Sequence, residues 1–113
     1  MHEASVAKQL LSVVLEHAGQ TDARRITKVS GWVAETEALM PDALQFHFSA
    51  HAKDTLAARA VLDLELVHVS AHCNECGFEY KPEHHVTLCP ECGSSDGTLL
   101  GKTGIGVDSI EVE

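Results

Sequence analysis

The stretches Cys73-Asn-Glu-Cys76-Gly and Cys89-Pro-Glu-Cys92-Gly hold all four cysteines of this 113-residue chain. Two residues lie between the thiols of each pair, and twelve residues separate the pairs. This spacing places both sulfur atoms of a pair on one turn, and two facing turns form a tetrahedral four-sulfur cage. The glycine after each pair can take a positive φ without a Cβ clash. The sequence therefore predicts a tetrathiolate metal site formed by Cys73, Cys76, Cys89 and Cys92.

Three interpretations of the cysteine cluster are open: zinc, iron and disulfide bonds. We favour zinc, and because four thiolates leave no open coordination position, the ion would be structural. The two turns also resemble the knuckles of rubredoxin, in which tetrathiolate iron carries one electron, although the spacer here is much shorter. Disulfides fit less well, since no export signal is visible and free thiols are typical of a reducing compartment.

Hydrophobic periodicity predicts the helices. From Ala4 to Ala18 apolar residues recur every three or four positions, and Gly19 follows as a C-terminal stop. Pro41 is favoured at a first helical position, and the apolar residues after it keep helical spacing. A third, short helix is predicted over residues 55–60.

Strands are predicted on both sides of the cysteine segment. Residues 25–34 are rich in β-formers, and residues 61–70 alternate between apolar and charged side chains. That alternation places three leucines on one buried face: Leu62, Leu64 and Leu66. Residues 105–112 change their alternation phase, which predicts a final strand with a bulge near Asp108.

Residues 71–100 differ in character, because they hold all the cysteines but few large aliphatic side chains. We therefore expect an α+β fold in two domains. Residues 1–70 plus 101–113 would form a small α/β domain with two helices on a roughly three-stranded sheet. Residues 71–100 would form an inserted zinc-ribbon-like domain.

Charge and motifs exclude several classes of function. The formal net charge of -9 disfavours nucleic acid as a partner, because basic residues are needed to neutralise phosphates. No apolar run is long enough for a membrane span and no signal peptide is visible, so we expect a soluble, cytoplasmic protein. No nucleophile elbow or phosphate-binding loop is present, so we expect neither a hydrolase nor a GTPase.

The amino terminus, Met1-His2-Glu3, offers a second kind of metal site. The terminal amine, the backbone amide of His2 and its imidazole can close chelate rings around Ni(II) or Cu(II). Such a site faces solvent and exchanges its ion. On spacing alone, the alternative that His2 is an ordinary frayed surface residue remains open.

The order of motifs along the chain resembles that of the HypA/HybF family of hydrogenase nickel-incorporation proteins. The resemblance rests on Met1-His2-Glu3 before an amphipathic helix, the central Pro41-Asp-Ala-Leu-Gln-Phe46 and the two cysteine pairs, together with the final Ile110-Glu-Val-Glu113. It implies an α/β nickel-binding domain with an inserted zinc domain. It also implies that His2 is a nickel ligand, that Glu3 supports nickel delivery, and that the Met1 amine is a further donor.

The function implied by the resemblance is that of a nickel metallochaperone, which would not itself be an enzyme. Its partners would be the nickel-handling, HypB-like GTPase of hydrogenase maturation and the precursor of the [NiFe]-hydrogenase large subunit, and in some organisms the urease maturation system. The alternatives are a rubredoxin-like iron electron carrier and a zinc-ribbon interaction module. Metal-binding roles stay open for the following residues: Glu37, Asp42, His72, His84 and His85.

Overall fold

The computed structural model describes residues 3–83 and 86–113. This part of the chain has an α+β fold, which confirms the predicted class. The helices and strands, in chain order, are α1 (Glu3–Gly19), β1 (Ile26–Ala34), a 3₁₀ turn (Glu35–Glu37), α2 (Pro41–Ala52), β2 (Val61–Val67), β3 (Ser70–Cys73), β4 (Glu79–Tyr80), β5 (Gly97–Leu100) and β6 (Ile105–Val112). Within the described residues, neither α-helix has the length and hydropathy needed to cross a bilayer.

Helix α1 confirms the periodicity of the first predicted helix. One face is buried and consists of Val6, Ala7, Leu10, Leu11, Val14 and Ala18. Glu3 lies in the first turn and His17 in the last, and both positions complement the helix dipole when charged. The helix ends at Gly19, as predicted.

Helix α2 begins at Pro41, which confirms the proline signal. Leu44, Phe48 and Ala52 form its buried face at intervals of four residues. The side chain of Gln45 on the neighbouring face accepts a hydrogen bond from the backbone N–H of Leu62, at 2.6 Å. This bond attaches the helix to the start of β2.

The first sheet has three strands, the number predicted, and their order is β2-β1-β6. Strands β1 and β6 approach very closely at Gly31, where a Cβ atom would lie 2.1 Å from the carbonyl oxygen of Gly106. A Cβ at Gly106 would in turn lie 2.6 Å from the Trp32 indole nitrogen. The absence of a side chain at these two glycines therefore permits the approach of the strands and the packing of Trp32.

The second sheet has the order β4-β3-β5, with β3 antiparallel to both neighbours. In this register Ala71 lies between Tyr80 and Leu99. A small core forms around these strands from Ala71, Cys73, Tyr80 and Cys89, with Leu99 packed against it. Two of the four cysteines thus belong to the hydrophobic core of this sheet.

The predicted third helix over 55–60 is wrong, since these residues form consecutive turns. Helix α2 ends at Ala52 because the next residue, Lys53, has an extended ψ of 133°, and Asp54 then takes a positive φ of 67°. Hydrogen bonds of the turn type follow, from Thr55 N–H to Ala52 O and from Ala58 N–H to Thr55 O. Six residues supply too few hydrogen bonds to offset helix nucleation once the preceding turn is broken.

The single strand predicted over residues 61–70 is in fact two strands, β2 and β3, and the prediction of Leu66 as buried is wrong. The chain leaves the strand at His68 and Val69. The backbone N–H of Val69 donates to a carboxylate oxygen of Glu35 at 3.0 Å instead of to a neighbouring strand. A bond from 34 residues away thus ends the strand, although the alternation of side chains continues through it.

Contacts between α-carbons divide the chain into two compact units. The first contains the stretch that ends at Trp32, together with Leu39–Glu65 and Gly106–Glu113. The second contains Val33–Ala38 and Leu66–Ile105. The assignment of nickel binding to residues 1–70 plus 101–113 and of zinc binding to 71–100 stays a prediction, as does the bulge near Asp108.

Glu35 connects separate parts of the second unit. Besides the Val69 N–H, its carboxylate contacts His68 Nδ1 at 2.9 Å and Lys81 Nζ at 3.3 Å, and its side chain is only 15% exposed. The hydrogen bonds from Val69 and His68, helped by the Lys81 charge, lower the pKa of Glu35 from 4.5 to about 2. The carboxylate is therefore ionised at every pH at which the fold is normally studied.

We expect Glu35→Gln to lower the melting temperature by a few degrees at pH 7, because the amide loses the charge that these donors stabilise. A carboxyl group with a lowered pKa favours the folded state above its unfolded pKa, and this contribution is lost as the pH falls through the folded pKa. The difference between wild type and variant should thus not shrink between pH 7 and pH 5 and should shrink only below about 4.5. Thermal unfolding measured by circular dichroism checks this, and a difference that already shrinks between pH 7 and pH 5 would contradict it.

Candidate metal centre

The first cysteine turn follows directly from the end of β3. The Cys73 N–H donates to the Phe78 carbonyl and the Gly77 N–H donates to the Cys73 carbonyl, both at 2.9 Å. Gly77 has a φ of 80°, as its predicted role in the turn requires. The backbone N–H of Cys76 points at the Cys73 sulfur, at 3.5 Å. The turn therefore brings both sulfurs to one side of the chain.

The second turn repeats this hydrogen-bond pattern. The Cys89 N–H donates to the Ser94 carbonyl and the Gly93 N–H donates to the Cys89 carbonyl, again at 2.9 Å. Gly93 has a φ of 75°. The two halves of the site thus share one local geometry, as the repeated sequence predicts.

The four sulfur atoms converge. The Sγ–Sγ distances are 3.6 Å for Cys73–Cys92 and 3.6 Å for Cys76–Cys89, and all four atoms lie within 4.8 Å of one another. A tetrahedral ion with metal–sulfur bonds near 2.3 Å requires sulfurs about 3.8 Å apart. All four thiols are free, and the distances are much longer than the S–S bond of about 2.05 Å. The donor set therefore fits a tetrathiolate ion rather than two disulfides.

Burial divides the cage into two halves. Cys73 and Cys89 are 0% and 2% exposed, whereas Cys76 and Cys92 are exposed. The first residue of each turn is anchored in the core of the second sheet, and the last faces solvent. The side chains on the solvent side have no packing role that would explain their convergence, so coordination of an ion is the better explanation.

Thiols this close cannot all ionise without a cation. The backbone N–H of Cys76 is the main cause that lowers the pKa of Cys73 to about 7. The Ser94 N–H lowers the pKa of Cys92, but the Cys73 thiol and burial outweigh it and raise that pKa to about 12. The Phe78 N–H likewise lowers the pKa of Cys76, but burial and the neighbouring thiols outweigh it and raise that pKa. A divalent cation would reverse this balance, because a coordinated thiol is deprotonated outright.

Tyr80 lies beside the cage in the core of the second sheet. Burial raises the pKa of Tyr80, and the nearby cysteines raise it further. Its hydroxyl group is buried without a hydrogen-bond partner among the described residues. A Cβ at Gly97 would lie 2.7 Å from this hydroxyl, so the phenol packs directly over the backbone of β5.

The other residues predicted to bind metal do not cluster with further donor side chains in the described part of the chain. Within residues 3–83 and 86–113, the four cysteines are the one group of three or more donor side chains that could hold an ion. Glu3 is half-buried in the first turn of α1, and Asp42 is exposed in that of α2. Glu37 accepts a hydrogen bond from the Gly104 N–H at 3.3 Å. His72 is half-buried on β3, and the remaining predicted positions lie outside the described residues: Met1, His2, His84 and His85.

Comparisons with known proteins cover the chain from end to end. The family model described as "HypA: Hydrogenase/urease nickel incorporation, metallochaperone, hypA" matches residues 1–112. The hydrogenase maturation factor HypA of Chlorobium limicola is 34% identical over 113 residues, which are 100% of this chain and 97% of the relative. That of Caldanaerobacter subterraneus subsp. tengcongensis is 30% identical over 115 residues, with full coverage of both chains.

Solved structures give the same result for the fold. The solution structure of the Ni metallochaperone HypA from Helicobacter pylori matches with a TM-score of 0.66 and 25% identity. The match covers 99% of this chain and 97% of that protein. The similarity therefore extends over both units and is not confined to the cysteine turns.

Proposed function

Because this chain belongs to the HypA family of nickel-incorporation metallochaperones that act in hydrogenase maturation, we propose that it binds Ni(II) through His2 and the amino terminus and delivers it to the [NiFe]-hydrogenase large subunit. The family match over residues 1–112 carries the proposal, since it includes the Met1-His2-Glu3 motif and both cysteine pairs. Glu3 would support transfer of the ion from a position beside the imidazole.

The two metals would have separate roles. We assign zinc to Cys73, Cys76, Cys89 and Cys92, where four sulfurs complete a tetrahedral shell and leave no position for a ligand from a partner. A delivered ion needs the opposite, a site with few protein ligands and exchangeable positions. An imidazole with the terminal amine meets that need. Zinc would therefore maintain the shape of its domain, while nickel is bound and released.

We also propose the partners and setting of this delivery. A HypB-like GTPase would dock on the nickel-loaded protein, and the hydrogenase large-subunit precursor would receive the ion. The urease maturation system is a further recipient in organisms that contain it. The protein would act in the cytoplasm and would catalyse no reaction of its own.

The decisive experiment is nickel binding by protein that begins at Met1 without a tag. Zinc and nickel are measured by elemental analysis before and after addition of Ni(II), for wild type and for His2→Ala. We expect His2→Ala to lose the tightest-bound nickel and to lower hydrogenase activity in cells grown at ordinary nickel concentrations. His17→Ala, which changes an exposed histidine of α1, is the matched control and should behave as wild type.

Acetylation of the α-amino group gives an independent test, because it removes one proposed donor and leaves His2 in place. Unchanged nickel uptake and transfer after both modifications would refute the proposal. The same metal analysis identifies the ion in the cage. One equivalent of zinc in a colourless protein is expected, whereas iron with thiolate charge-transfer absorption would contradict the zinc assignment.

Nickel affinity should fall as the pH is lowered below about 6.5. An imidazole must be neutral to coordinate a metal, and its reference pKa is about 6.5. Titrations with Ni(II) between pH 8 and 5.5 measure this dependence. An affinity that stays constant across the range would argue against imidazole coordination.

A further inference from the structure

Helix α2 carries two histidines beside its buried face, His47 and His51. Its buried face consists of Leu44, Phe48 and Ala52, and each histidine immediately precedes one of these residues. His47 is half-buried and His51 is exposed. Both belong to the first compact unit. They therefore form a histidine pair that lies along one edge of the buried face.

The pair has the spacing of two metal ligands on a helix. Residues four apart lie on the same face with Cβ atoms about 5–6 Å apart, so two imidazoles can reach one ion. The side chains that flank them on this face are the small Ala43 and Ala50. Neither would hinder the approach of a hydrated ion to the imidazoles.

Neither imidazole is engaged elsewhere in the part of the chain that the structure describes. Within these residues, His47 makes an edge-to-face ring contact with Phe46, with centroids 5.3 Å apart, and His51 makes no ring contact, ion pair or hydrogen bond. His68 provides a contrast, because its Nδ1 contacts the Glu35 carboxylate at 2.9 Å. Among the described residues, the nitrogen atoms of the histidine pair therefore make no hydrogen bond that metal binding would break.

The position on the helix also favours a cation. His51 lies in the last turn of α2, where unpaired carbonyl groups make the helix terminus partially negative. The next two residues, Lys53 and Asp54, carry opposite charges, so together they add no net charge beside His51. Two imidazoles without a carboxylate suit late first-row divalent ions better than magnesium or calcium.

We propose that His47 and His51 form a second, labile Ni(II) site on α2, distinct from the amino-terminal one. Two ligands leave several of the ion's coordination positions to water, so the ion would exchange readily. The proposal does not rest on the function of His2, because it follows from the placement of two side chains on one helix. It would allow the protein to hold a second nickel ion at high local nickel concentration.

The test uses the full chain with its cage loaded with zinc, and Ni(II) alone as the probe. In the His2→Ala background, calorimetric titration is expected to show one remaining nickel equivalent. Adding His47→Ala or His51→Ala should remove it, whereas adding His17→Ala should not, because no histidine lies four residues from His17. Circular dichroism melting checks that each variant is folded.

A second variant tests the geometry rather than the number of histidines. His51→Ala combined with Ser49→His keeps two imidazoles but places them two positions apart, on different faces of the helix. We expect this variant to lose the remaining nickel equivalent. In the wild type, sub-stoichiometric paramagnetic Ni(II) should broaden the imidazole NMR signals of His47 and His51 but not those of His17.

Absence of a remaining nickel equivalent in the His2→Ala protein would overturn the proposal. So would retention of that equivalent when both His47 and His51 are replaced. These outcomes differ from failure of the proposed function, for which nickel binding of the otherwise native chain would be unaffected by His2→Ala. In the His47→Ala, His51→Ala double variant with His2 intact, the amino-terminal nickel should remain.

Discussion

Replacing Cys73 by alanine is expected to release the metal ion from the cage and to unfold the small sheet around it. Structural zinc contributes an apparent 10–16 kcal/mol in zinc-finger peptides, about as much as the whole stability of a typical domain. The core of the second sheet is small, and two of its members are cysteines. Without the ion, this core has little else to hold the two turns together.

Comparison of buried and exposed cysteines separates metal binding from simple packing. If the cysteines acted only as apolar side chains, Cys73→Ala would be costly and Cys92→Ala nearly neutral, because Cys92 is exposed. If all four are ligands, both variants should lose one equivalent of zinc and show similar protease sensitivity. Leu88→Ala, at a 59% exposed position next to Cys89, is the matched control and should retain zinc.

Limited proteolysis with elemental analysis measures both effects on the same samples. A strong chelator applied to the wild type should reproduce the behaviour of the variants. Full zinc content and protease resistance in Cys92→Ala would contradict the four-ligand assignment, whatever the result for Cys73→Ala.

The sequence predicted the cage well because the information is local. Each turn is specified by two cysteines and a glycine within five residues, and the positive φ of Gly77 and Gly93 is what the glycines were expected to supply. Helices α1 and α2 were predicted for the same reason, since periodicity and terminal residues act over single turns. The convergence of the two cysteine turns required only that both turns flank one small sheet.

Features determined by distant residues were not predicted. The break between β2 and β3 depends on Glu35, whose hydrogen-bond partner Val69 is 34 residues away. No pattern near Val69 carries that information, and alternation alone favours one continuous strand.

The nickel assignment at His2 rests on the family resemblance, because an amino-terminal histidine has no spacing signal of its own.

Gly31→Ala is expected to be the most damaging single methyl addition in the first sheet. The new Cβ would lie 2.1 Å from the Gly106 carbonyl oxygen and 3.1 Å from the Val107 Cα. Both are backbone atoms of β6, which is paired with β1, so β6 must move away from β1 to relieve the clash. Overpacking of this kind costs about 1–3 kcal/mol and occasionally more, and we expect a loss of at least about 3 kcal/mol.

The other glycines provide a graded control for this prediction. A Cβ at Gly19 would meet nothing within 4 Å, so Gly19→Ala should change the stability by less than about 1 kcal/mol. Gly106→Ala should have an intermediate effect, because its Cβ would meet the Trp32 ring, which has side-chain torsions that can adjust. Urea unfolding of the three variants measures the free energy of unfolding of each and so ranks their losses of stability. Equal stability of Gly31→Ala and Gly19→Ala would show that β1 and β6 do not approach as closely as this pairing requires, because a methyl group between two paired backbones cannot be accommodated without separating them.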